Sequence, residues 1–265
     1  ELVEKSWLQQ RDAGRFQLHE LLRHYGVEQL RMQKDEWQTA HERHAAYFTR
    51  FVAEQNLRLR GKQQLTGKQA LEEELNANIK AAWDWLVAQR RWSEILDPFA
   101  IGLIQIGILR EQMVEMIPWL RDARRILASQ PETACSLAFA VISTLEIFCE
   151  ENEYIQEQHP LERMKATWQM VHDHRLAEEM DLWFAVLAFM VHTRNLDPSA
   201  GTELERAVER LKQEGDSWKA GIALYLQAVR GGMYALDREK LLEAGEIFKS
   251  LGVLLEQGMV AEVLG

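Results

Sequence analysis

Along nearly the whole chain, apolar residues return every three or four positions and little interrupts them. From Trp37 the series runs through Ala40, His41, His44, Ala45, Phe48, Phe51 and Val52, the spacing that brings side chains onto one face of an α-helix. Leu71, Leu75, Ile79, Ala82, Trp83 and Leu86 repeat it. Five prolines and 15 glycines in 265 residues leave few places for a helix to break. Further helices are therefore expected at 92–109, 111–128, 132–150, 160–173, 176–195, 202–214, 217–235, 237–250 and 253–264, separated by turns at Pro131, His159-Pro160, Asp197-Pro198, Gly215-Asp216 and Gly252. Only Gly14 to Leu18 reads as strand. Helices of this length joined by short turns lie antiparallel to their neighbours, which predicts an all-α bundle or a stack of helical hairpins.

Internal repetition favours the stack. Gly215 and Gly221 recur as Gly252 and Gly258, 37 residues further on, and a weaker echo lies upstream between Arg175 and Phe184. A period of about 34 to 40 residues with two helices per unit is that of tetratricopeptide-like arrays, in which each hairpin buries its apolar face against its neighbours and the whole forms a superhelix with a concave surface. Ala244 and Phe248, four apart, match the small-then-aromatic placement of such repeats. Gly231-Gly232 offers no aromatic partner on the preceding helix, so the repeats are divergent.

The composition excludes several classes. A 47% hydrophobic content is ample for a core, and the nine tryptophans fall mostly within apolar-periodic stretches, as packing residues do. Residues 131–265 hold 12 Lys and Arg against 23 Asp and Glu, which opposes nucleic-acid binding through phosphate neutralisation. Glu150-Glu151-Asn152-Glu153 and Glu178-Glu179 are expected on solvated faces. Cys135 and Cys149, without Cys-x-x-Cys spacing, read as small buried hydrophobes in a reduced, cytoplasmic compartment. The longest weakly charged stretch, Ile95 to Leu109, falls short of the roughly 20 apolar residues a membrane span needs. The chain reads as a piece of a longer cytoplasmic protein.

No constellation for catalysis stands out. Gly61 to Gln69 superficially resembles a P-loop, but five residues rather than four separate its glycines and Gln69 stands where Ser or Thr is needed. His41 and His44, three apart on one helix, lack a third metal ligand by spacing. His172-Asp173-His174 reads as a solvated helix end, and Glu203/Glu205 has no site around it that would make an acid–base couple. The chain is therefore read as having no enzymatic activity, bound metal or cofactor of its own.

The opening segment adds a resemblance. Glu1 to Leu8 followed by Gly14-Arg15-Phe16-Gln17-Leu18-His19-Glu20-Leu21-Leu22-Arg23 is similar to the end of the winged-helix subdomain in the signal-transducing NTPases with numerous domains (NB-ARC-like switch ATPases), with Leu18-His19-Glu20 at the position of their Met-His-Asp motif. Asn78-Ile79-Lys80-Ala81-Ala82-Trp83-Asp84-Trp85 resembles the helix that follows the switch core in bacterial members. The resemblance implies a winged-helix tail over 1–33, a helical connector over 34–90 and a tetratricopeptide-like superhelix over 91–265. It implies further that His19 senses the β-phosphate of ADP, while the nucleotide, Mg and P-loop belong to an upstream ATPase domain. The superhelix would take a protein, peptide or small ligand on its concave face, in signalling, transcription regulation or defence. The alternatives are a constitutive scaffold and, further off, a DNA-binding winged helix.

The physics at His19 permits two roles. A helix N-terminus favours an anion and disfavours an imidazolium, so a neutral ring there can donate to phosphate. The same ring can instead cap or pack locally. Leu18, Leu21, Leu22 and Tyr25 are expected to anchor the helix behind it, and Gly26 within that helix marks a close helix approach.

Overall fold

Helical periodicity becomes helix almost everywhere in the computed structural model, which describes residues 7–10, 16–102, 105, 113–152, 160–232 and 235–265. The chain divides into two compact units, Glu1–Tyr47 and Phe48–Gly265.

The first unit contains the only strands among the described residues. β1 (Leu8–Gln10) pairs antiparallel with β2 (Phe16–Leu18), Gln9 opposite Gln17. Gly14 and Arg15 lie outside the described residues. α1 (Glu20–Met32) follows, with a Glu20–Arg23 ion pair at 2.6 Å in its first turn. The Arg23 hydrogen bond holds the Glu20 carboxyl below its ordinary range. Two expectations fail here. α1 fully buries none of its residues, and although Leu22 is half-buried, Leu21 and Tyr25 are 72% and 60% exposed, so the expected face does not anchor the helix as a unit. Gly26 has open space around it, with no atom within 4 Å of where a Cβ would lie.

α2 (Lys34–Leu59) runs across the division between the units. Its predicted face grades from half-buried Trp37, Ala40, His41 and His44 to buried Ala45, Phe48 and Val52. α3 (Gln64–Glu74) passes through a π-turn at Leu75–Ile79 into α4 (Lys80–Ala88). Every member of the Leu71, Leu75, Ile79, Ala82, Trp83, Leu86 series is buried. The short α5 (Trp92–Glu94) leads into a second π-turn, Ile95–Phe99, which contains Pro98. Asn56 Nδ2 donates to the Pro98 carbonyl at 2.6 Å and ties α2 to this segment.

The remaining helices are α6 (Ile117–Ala128), α7 (Leu137–Asn152), α8 (Pro160–Asp173), α9 (Leu182–Thr193), α10 (Ala200–Glu214), α11 (Ser217–Val229), α12 (Arg238–Leu251) and α13 (Leu254–Leu264). Consecutive helices pack together, and α9 also packs on both α7 and α11. This ordering explains the sequence character of each helix. The inner helix α9 is apolar all round, Leu182 to Ala188 being buried without a break. Its neighbour α10 buries a single stripe, Ala200, Gly201, Leu204, Ala207, Val208 and Leu211, as a helix with one solvated face does. Five of the nine tryptophans are buried, and Trp168 stacks on Phe184 at 5.6 Å.

The turn chemistry follows the expected marks. Gly215 (φ +82) and Gly252 (φ +74) end α10 and α12 in the left-handed conformation that glycine adopts without Cβ strain. Asp216 and Asp237 cap α11 and α12 by accepting from Lys219 N and Lys240 N. The 37-residue echo is only partial beyond the caps. A Cβ on Gly221 would lie 2.6 Å from Phe248 Cε1, whereas Gly258 has open space. Some helix starts differ from expectation: α7 begins at Leu137 rather than 132, because Ser136 Oγ accepts from Phe139 N at 3.3 Å and caps it there. α9 begins at Leu182 rather than 176, after Arg175 and Asp181 with φ of 56°.

Candidate functional site

α7 is largely buried, yet it carries two carboxylates on one face. Glu146 and Glu150, four residues apart, are 0% and 2% exposed. This corrects the expectation that Glu150 lies on a solvated face; Glu151 beside it is half-buried. Buried carboxylates need charged partners, and three arginines supply them. Arg121 and Arg124, three apart on α6, and Arg163 in the first turn of α8 close over the pair. Arg163 Nη1 donates to Glu146 Oε1 at 3.1 Å and its Nη2 to Glu150 Oε2. Arg124 donates from Nε and Nη2 to Glu146, and Arg121 Nη2 donates to Glu150 Oε1 at 3.1 Å. Each arginine remains about a quarter exposed, so each keeps one side toward solvent.

Beside this cluster lies a cleft of about 250 Å³ lined by Arg124, Phe139, Ser143, Ile147, Arg163, Ala166, Thr167 and Met170. Ser143 is 3% exposed, and its Oγ has no hydrogen-bond partner. The hydrogen bonds made by Arg124 and Arg163 leave Arg124 Nη1 and Arg163 Nε unused. An apolar wall, two oriented guanidiniums and an unsatisfied hydroxyl thus meet in one concavity, the kind of lining that recognises small molecules. A sequence signal existed, an isolated Glu146 within the apolar run Ala138 to Cys149, but its partners lie on other helices.

A second polar cluster is structural. Glu256 is 3% exposed and accepts from Gln64 Nε2 at 2.7 Å and Trp218 Nε1 at 2.8 Å. Gln64 Oε1 accepts from Leu255 N at 3.0 Å. Arg60 lies over the Trp218 ring at 4.8 Å and pairs with Asp216 at 3.3 Å. Burial pulls the Arg60 guanidinium below its ordinary value, while Asp216, Asp181 and Asp97 oppose this.

The sequence-predicted site residues do not converge with either cluster. His19 is the N-cap of α1, exposed, with Nδ1 accepting from Leu21 N at 3.3 Å. That acceptor role places the ring proton on Nε2 and uses an amide that an anion would otherwise take. Gly61 to Gln69 is the turn and first helical residues between α2 and α3, where a Cβ on Gly67 would lie 3.0 Å from Arg58 Cβ. This stretch does not fit a phosphate. His41 is half-buried with the Trp37 ring 4.2 Å away, and burial, then His44, lowers its pKa. His172 is exposed, its Nδ1 2.9 Å from the Trp168 carbonyl. Glu203 and Glu205 are engaged separately by Arg206 and Arg230. Among the described residues no three His, Cys, Asp or Glu are grouped to hold a metal, and no helix is long and apolar enough to cross a membrane. Cys149 is buried but Cys135 is exposed, in the turn before α7, which corrects the reading of both as core residues. No protein-family model, curated protein or solved structure matches the chain.

Proposed function

We propose that this chain is the ligand-responsive helical-repeat part of a cytoplasmic switch ATPase of the signal-transducing type. Residues 1–33 would be the winged-helix tail, 34–90 the connector and 91–265 a tetratricopeptide-like superhelix. The cleft between α6, α7 and α8 carries the reading, because a concavity with a buried, unsatisfied hydroxyl and preset guanidiniums suits recognition better than plain scaffolding. The short hairpin leading into a His19-capped helix, and the packing of Phe248 against Gly221, support the two ends of the assignment.

On this reading ADP or ATP with Mg belongs to the upstream domain, His19 faces it, and ligand uptake changes how the repeats pack on that domain. Its output is regulation of transcription or defence. The test is ATP turnover by the intact polypeptide bearing this segment, with and without the cleft filled by Ala166→Trp. The sensor reading expects turnover to change. Turnover identical in both proteins would leave a constitutive scaffold.

A further inference from the structure

We propose that the cleft between α6, α7 and α8 binds a small organic acid, its carboxylate on Arg124, Arg163 and Ser143 and its hydrocarbon body against Phe139, Ile147 and Met170. The assignment rests on the sensor reading in taking this cleft as the site of recognition, and it goes further in naming the ligand chemistry.

Size sets the first limit. At about 250 Å³ the cleft is below the usual range of drug-sized pockets, roughly 300–1,000 Å³. A nucleotide, a folded peptide segment or an oligosaccharide is too large, whereas a substituted ring or a short acyl chain fits. The lining sets the second. Phe139, Ile147, Ala166 and Met170 offer carbon, not hydrogen bonds, to most of an occupant, so a bare inorganic anion would leave that wall in contact with nothing.

The polar groups then define the head group. Arg124 and Arg163 are held by Glu146, and Arg163 by Glu150 as well, so both guanidiniums are oriented before any ligand arrives and little ordering remains to be done on binding. Arg124 Nη1 and Arg163 Nε keep N–H groups free of those bonds. Ser143 Oγ is a buried hydroxyl in need of a partner. Donors of this kind match an acceptor-only group, and a carboxylate, with two oxygens and several lone pairs, takes a guanidinium N–H and a hydroxyl together. A cationic ligand would be repelled by the arginines, and a neutral one would accept from them without the added attraction of opposite charges.

The experiment is isothermal titration calorimetry of the chain with benzoate, hexanoate and inorganic phosphate, and with benzamide and hexanamide as neutral matches. Saturable binding of at least one acid is expected, about tenfold tighter than its amide, the ratio that a charge-assisted bond supplies. Ser143→Ala, which keeps the helix and both ion pairs, should shrink that acid-to-amide ratio severalfold. Met170→Trp should abolish binding of acid and amide alike, with far-UV circular dichroism showing both variants folded. The proposal is overturned if neither acid binds, if amide and acid bind equally, if phosphate binds more tightly than the acids, or if Ser143→Ala leaves the ratio unchanged. Acid binding that leaves turnover of the intact polypeptide unmoved would remove the sensor reading while keeping the site. Turnover that responds to Ala166→Trp without acid selectivity would do the reverse.

Discussion

Replacing Gln64 by Ala should destabilise the Phe48–Gly265 unit far more than a side chain of its size suggests. The amide makes two bonds to the start of α13, 2.7 Å to buried Glu256 and 3.0 Å from Leu255 N. Val253, at the N-cap position, provides no side-chain cap, so Gln64 supplies one from a distance. A hydrogen bond to a buried carboxylate contributes about 1.5–3 kcal/mol, and a lost helix cap costs about 1 kcal/mol. Together the loss is about 3 kcal/mol, which for a unit of this size lowers Tm by roughly 6–12 °C. The assay is urea and thermal denaturation followed by circular dichroism, repeated in a Glu256→Gln background. With the carboxylate neutral, the same substitution should cost only about 1 kcal/mol, the cap alone. A loss below about 1 kcal/mol in the wild-type background, or equal losses in both, would refute the idea that Gln64 supports a buried charge.

Glu146→Gln leaves Arg121, Arg124 and Arg163 without their shared carboxylate. Breaking a buried pair costs about 3–5 kcal/mol, and partial exposure of the arginines sets the expectation near the lower end, measured by urea unfolding. Gly26→Ala should stabilise α1 by up to about 1 kcal/mol, because the site is helical, exposed and open, and amide hydrogen exchange across Glu20–Met32 should slow. His41 has a folded pKa below its ordinary 6.5, so the neutral ring is favoured on folding. Its contribution is complete above pH 6.5 and is lost as pH falls through the lowered folded value, and His41→Gln should flatten the fall in stability on acidification through that range.

Local chemistry was the legible part. Asp216 and Asp237 announce helix starts, Gly215 and Gly252 announce helix ends, and α8 occupies the predicted 160–173 because Pro160 opens it. What depended on partners distant in sequence was not. Glu150 reads as solvent-facing in its own segment and is buried only because Arg121 and Arg163 reach it from two other helices. Leu21 and Tyr25 have the spacing of a packed face, but spacing alone does not supply the surface to pack on. The cleft was invisible for the same reason, since Ser143 is unremarkable in sequence and becomes notable only when its hydroxyl is found enclosed and unpaired.

The bond between Gln64 and Glu256 joins residues 192 positions apart. In an open solenoid each hairpin touches only its neighbours, so hairpins are gained or lost by duplication and deletion with little penalty. Here α3, near the start of the unit, and α13, at its end, are fastened to each other, and excising a hairpin between them would be expected to pull the fastening apart. Loss of a hairpin would then cost the Gln64–Glu256 bond as well as the hairpin's own packing, a coupling that an open solenoid lacks.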